Sequence, residues 1–428
     1  MAKLTLFKPI LWLTAIALLP PSPALLAGSL LLRGATVHTV SDGAPKRADV
    51  LVRDGRIAAV AEQIDEQADE VVDLAGMHLF PGLISAVTEL GLVEISGVRA
   101  TVDTREVGDH TPEVDAWLAV NPDSELIPVA RANGLTHFAA TPQGRLLAGA
   151  SGLMACGDWT IEDMAVSQRS GMHLYWPGHS LNLPGGASGD KVKPLDEQAR
   201  ERREKIREIE RFFADAEAWA KLPPEEAATA PAWQAMLPVL EGKLPLMIHA
   251  QGRREIRAAL DWAAERPKLR ITLVGGRDAR WFATELAERK IPVIFTEVFT
   301  LPVNTSDAYD IHFSTPAALH EAGVEVAIGD FSASGQRNLP YSAAQASAFG
   351  LPAEAALAAI TLVPARVHGV ADRLGSIEPG KEASFFAATG NILDIRSEIR
   401  RLWIAGVEQS LENRHTRLAE RYRARPAK

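Results

Sequence analysis

The run LPLMIHA (244–250) and the stretch that follows it, RREIRAALDWAAER (253–266), decide the fold. The run is short and apolar on both faces, as a strand inside a parallel sheet must be. The stretch behind it reads as a helix. The same pairing recurs along the middle of the chain. LTHFAAT, RITLVGG, IPVIFTEV and VEVAIGD are strand-like, and RDARWFATELAERK and STPAALHEAG are helical. Strand and helix alternating through short connections imply a parallel sheet with helices outside it. The segment 81–371 is long enough for a (β/α)8 TIM-like barrel. A doubly wound open sheet is the alternative, because periodicity does not count strands.

Outward from this segment the pattern changes. LLLRGATVHTV, ADVLVRDG and RIAAVA alternate apolar and polar residues between the turn signals Ser41-Asp42-Gly43 and Asp54-Gly55. GSIEPGKEASFFAATG and IRRLWIAGVEQSL do the same near the other end. The two sets are expected to pair into one small β-sandwich domain, from 28–80 and 372–412, with the barrel between them and a tail at 413–428. The charged stretch 196–221 carries Ile206, Ile209, Phe212, Ala216 and Trp219 near a helical period, so one stripe packs and the rest is solvated. The segment before it, GHSLNLPGGASGDKVKP (178–194), is rich in glycine and proline and reads as a loop.

The first 27 residues carry Lys3 and Lys8, the short apolar run 10–19, then Pro20, Pro21 and Pro23, with Ala24 and Ala27 behind them. This is the pattern of a secretory signal peptide cleaved near Ala27, and the run is too short for a permanent membrane span. Export, into a periplasm, is the expected location. One cysteine, Cys156, excludes an internal disulfide, which a chain of 428 residues with a large core does not require. A net charge of -9 argues against a nucleic-acid surface. No phosphate loop, CxxC or HExxH is present.

Three stretches carry a resemblance. These are DLAGMHLFPGLISA, LPLMIHA with its helix, and LVPARVHGVADRLGSIEPGKEA, which are similar to one family's entry into its first barrel strand, its fifth strand and helix, and its return from the barrel to a small sheet. The chain resembles the amidohydrolase superfamily, in particular its imidazolonepropionase-like branch. The resemblance implies metal-assisted hydrolysis of non-peptide C–N bonds in small molecules. It implies histidines on strands one, five and six, a carboxylated lysine or glutamate on strand four, and a general-base aspartate on strand eight.

This chain departs from that pattern. Val87 and Glu89 stand where the strand-one histidines are expected, and Gly275 stands at the strand-six position. Histidine 249 keeps the strand-five position, His173 lies near the strand-four position, and Asp330 lies at the strand-eight position. The candidate set is therefore Asp330 and His249 as catalytic groups, Glu89, His173 and His249 as metal donors, and Arg337 and Asn338 as substrate contacts. A metal needs about four donors in a stable site, so the expectation is no metal or one weakly held divalent ion, zinc first. The expected partner is a small molecule. A homo-oligomer, or pairing with a related active amidohydrolase, is the companion expectation, and a non-catalytic binding protein is the alternative function.

Overall fold

The structure, a computed structural model, describes residues 28–179, 193–223 and 230–425. Residues 1–27, read above as a signal peptide, and most of the segment 178–194, read as a loop, lie outside the described residues.

Five strands come first: β1 (Leu30–Val37), β2 (Lys46–Arg53), β3 (Arg56–Ala61), β4 (Glu70–Asp73) and β5 (His78–Pro81). Eight follow in the middle of the chain: β6 (Leu83–Thr88), β7 (Leu135–Ala140), β8 (Leu147–Ala155), β9 (Ala165–Tyr175), β10 (Leu246–Ala250), β11 (Ile271–Gly275), β12 (Val293–Phe295) and β13 (Val326–Ile328). The last three are β14 (Phe385–Ala388), β15 (Ile399–Ile404) and β16 (Val407–Glu408).

The two chain ends share one sheet, in the order β16-β15-β14-β5-β1-β2-β3, with β4 also on β1. The junction is β5 against β14, antiparallel, with Leu79 opposite Ala387. Alternation does the work here: Leu30, Leu32, Val50, Val52, Leu79, Phe385 and Trp403 bury one face together.

The middle strands form the second sheet, β13 through β6 in unbroken sequence order. Its edges meet without a ladder. The segment at Ala359–Ile360 bridges them, accepting from Ile84 N on β6 and Ile328 N on β13, each at 2.8 Å. The sheet is thus a nearly closed barrel and not an open doubly wound sheet. One strand departs from the parallel expectation: β8 runs antiparallel to both β7 and β9. The connection 141–146 is too short for the dozen or more residues a parallel crossover needs, so the chain turns back as a hairpin.

Inside the barrel, Val87, Met247, Val274, Ile294 and Ala327 form an apolar plug, with Val363 and Val367 below. Both Ala86 and Val87 face this plug, although neighbours on a strand should face opposite ways. The register of β6 on β7 slips between Ser85 and Thr88, and this bulge turns the second residue inward. Among the described residues, no helix is long and apolar enough to cross a membrane.

Candidate functional site

Strand C-terminal ends define the mouth of such a barrel, and the candidate residues lie there. On β9 and β10 the register sets Met247 beside His173 and His249 beside Tyr175. His173 and His249 touch, Nδ1 to Nε2 at 2.8 Å. The His249 ring lies on the Tyr175 ring, with centroids 3.9 Å apart and planes within 16°. Phe331 closes the other side at 5.7 Å. The Tyr175 hydroxyl donates to Pro142 O at 2.9 Å and to Gln143 Oε1 at 3.1 Å.

These groups are held in their uncharged forms. Burial pushes His249 down to about 3. His173 falls well below its usual value through burial, then through His249 and His368. The Tyr175 phenol is raised by burial and by the charge of Glu89. Neutral imidazoles in contact must divide the roles, one nitrogen donating and the other accepting.

Carboxylates line the rest of the mouth. Glu89 follows the β6 bulge, and its amide donates to Phe331 O at 2.9 Å. Its carboxyl is raised by burial and then by Asp330. Asp330 is raised by burial first and further by Glu297, while the Ser332 amide, 2.9 Å from Oδ1, works the other way. Among the described residues none of these three carboxylates is within ion-pair distance of a lysine or arginine. Glu297 accepts from Gln251 Nε2 at 2.9 Å and from Thr296 Oγ1 at 2.8 Å.

The chain thus brings His173 and His249 into contact and places Glu89 and Asp330 within reach of each other's charge. Arg337 and Asn338 follow Asp330 closely in the chain, and among the described residues neither side chain is hydrogen-bonded or ion-paired to these groups. Both are exposed on the short turn Ser334–Asn338. Glu297, Tyr175, Gln251 and Phe331 escaped the sequence reading. Glu297 had a signal: it ends the run IPVIFTE much as His249 ends LPLMIH.

The donors present do not fit a tightly held metal. Among the described residues no three His, Cys, Asp or Glu side chains gather at ligand spacing. Val87 has no donor atom and is buried in the plug. At Gly275 a Cβ would meet Gln251 Nε2 at 2.5 Å, so the glutamine amide fills the place a side chain would need.

A family model described as "Amidohydrolase family" matches residues 134–408, more than half of the chain. The chain belongs to the amidohydrolase family. The structure of an amidohydrolase from Thermotoga maritima MSB8 superposes with a TM-score of 0.75 at 27% identity, covering 89% of this chain and 99% of that one. An amidohydrolase (tasK) of Hapsidospora irregularis is 23% identical over 90% of this chain and 43% of its own length. An allantoinase of Bacillus velezensis is 32% identical over 102 residues, 23% of this chain and 22% of that protein. The chain therefore spans less than half the length of these two curated relatives. An adenosine deaminase of Xanthomonas campestris with bound zinc shares the fold, with a TM-score of 0.52 at 18% identity.

Proposed function

We propose that this chain hydrolyses non-peptide carbon–nitrogen bonds in small polar or cationic molecules, at a barrel mouth whose metal site has degenerated. The observation that carries this reading is the pair Glu89 and Asp330. Both are raised by burial, Asp330 raises Glu89 further, and among the described residues no lysine or arginine is within ion-pair distance of either. Of two such carboxyls, one keeps a proton after the other has lost its own. Asp330 then accepts a proton from water as the oxygen adds to the carbonyl carbon. Glu89 delivers its proton to the departing nitrogen as the C–N bond breaks. The aromatic cluster of Tyr175, His249 and Phe331 beside the carboxylates suits a ring. Excess negative charge favours a substrate with a positive or strongly polar group over an anion. Membership of the imidazolonepropionase-like branch is part of this reading and rests on residues 362–383. Export rests on the leader at 1–27.

A second reading is that the pocket binds such a molecule without turning it over, or serves an active relative as a partner. Val87 and the Gln251 amide over Gly275 favour it, because both occupy space where donors would stand. The deciding experiment is turnover of cyclic amides and N-acyl compounds by the wild type, Asp330→Ala and Glu89→Gln, with and without chelator, beside ligand-induced melting shifts. Turnover lost by 100-fold or more in both variants supports the hydrolase. Melting shifts without turnover, lost in the same variants, support the binder. Variants indistinguishable from wild type in both readouts overturn the use of this mouth.

A further inference from the structure

We propose that a cavity at the opposite end of the barrel from the mouth binds a phosphate group, as a pyrophosphate-like anion or a phosphomonoester, through Arg270 and Lys290. The cavity has a volume of about 610 Å³ and opens where β11, β12 and β13 begin. That volume is within the roughly 300–1,000 Å³ of small-molecule sites. Arg266, Arg270, Arg289, Lys290 and Arg366 line it against a single carboxylate, Glu325. The lining thus carries five positive charges and one negative, in a chain whose net charge is -9.

This end of a barrel ordinarily serves stability, and three of the five cations are accounted for that way. Arg366 pairs with Glu325 at 2.7 Å. Arg289 pairs with Glu285 at 3.1 Å and donates to Leu260 O at 2.9 Å, near a helix C-terminus where a cation is favourable. Arg266 lies over the Trp262 ring at 4.3 Å and donates to Trp262 O at 3.0 Å.

Two cations are left over. Among the described residues neither Arg270 nor Lys290 lies within ion-pair distance of a carboxylate, and each is accessible. Arg270 has one long contact, Nη2 to Val367 O at 3.4 Å, although a guanidinium offers five donors. Burial nonetheless lowers its pKa, so the charge is held where solvent compensates it incompletely. A planar fork and an exposed ammonium on one concave wall match the several oxygens of a phosphate better than the two of a carboxylate.

The test is calorimetric titration of the folded full chain with inorganic pyrophosphate at low salt, with Arg270→Ala, Lys290→Ala and Lys290→Arg. Binding in the wild type should weaken at least tenfold in each alanine variant, recover in Lys290→Arg, and fall as salt rises. Lys290 is exposed, so its variants should fold even if Arg270→Ala does not. Co-sedimentation with phosphatidylcholine vesicles containing phosphatidic acid identifies the source. Vesicle binding lost in Lys290→Ala assigns the phosphate to a lipid headgroup, and pyrophosphate binding alone assigns it to a soluble molecule. No binding to either probe, or binding unchanged in Lys290→Ala, overturns the proposal. Turnover at the mouth is not the readout, so the outcome is separate from that of the hydrolase reading.

Discussion

Asp330 is held in place by the turn that follows it. Ser332 N donates to its carboxylate, and the buried Gln336 donates Nε2 to Ser332 O at 2.9 Å. Gly335 is part of this arrangement, since a Cβ there would lie 2.2 Å from Asp330 Oδ2. An alanine therefore displaces the carboxylate while leaving the barrel interior untouched. Gly335→Ala is expected to reproduce most of the loss of binding or turnover seen in Asp330→Ala. Its stability cost should be within about 1 kcal/mol, as for other changes outside the core. Parallel melting and ligand-binding curves check this, and a variant that binds as the wild type does would show that Asp330 is not a contact. The placement of Asp330 and His249 at strand ends was legible because each ends an apolar run, and position at a strand end is a one-dimensional property. Tyr175 was not, since its role depends on the register of β9 against β10, which sets its ring over His249.

Among the elements, the charged helix Leu195–Trp219 shows what periodicity reveals and where it blurs. A stripe through Ile206, Ile209, Phe212, Ala216 and Trp219 was readable from spacing alone. The residues buried most deeply are Ile209, Phe213 and Ala216, one turn apart along a line that passes through the neighbour of Phe212. Two adjacent phenylalanines cannot both face inward, and sequence does not say which does. Phe213 meets the Trp262 ring edge-on, with centroids at 4.9 Å. Phe212 is half-buried against His110 and Trp233, at 4.5 and 4.8 Å. Phe213→Ala should therefore cost about 3–5 kcal/mol, the usual range for emptying a buried aromatic site, and Phe212→Ala clearly less. Denaturant unfolding of the two variants decides it, and a larger loss for Phe212→Ala would reverse the assignment. The hairpin that makes β8 antiparallel was hidden for a different reason: an apolar run has no direction, and only the shortness of 141–146 hinted at it.

At the scale of the whole molecule, the two-ended sheet was legible because alternation marks β1–β3 and β14–β16 alike, and the barrel because its strands are apolar on both faces. What sequence could not show is how completely the interior excludes charge. His137 lies inside the barrel on β7, where burial, reinforced by Arg373, holds it down to about 3. His368 lies beneath the plug, its Nε2 donating to Ala86 O at 2.8 Å, and burial brings it down to about 4. Both are neutral in the folded chain, whereas in the unfolded chain each takes up a proton near pH 6.5. Their contribution is thus fully present above pH 6.5 and is lost as the pH falls through the window from about 6.5 to the folded values near 3 and 4. Glu89 and Asp330 act in the opposite sense. Their carboxyls are raised on folding, so what they contribute is present in acid and lost as the pH rises through their folded values. That gain offsets part of the loss from the imidazoles as the pH falls, so the comparison of variants isolates the imidazole contribution. By pH 5 each of the two histidines should have cost on the order of 2 kcal/mol, a large fraction of an ordinary domain's stability. The melting temperature is therefore expected to fall steeply between pH 7 and 5, and His137→Gln, which keeps a polar group without the titration, should flatten that slope whatever it does to the plateau. A slope unchanged in the variant would mean that this imidazole is protonated inside the fold after all.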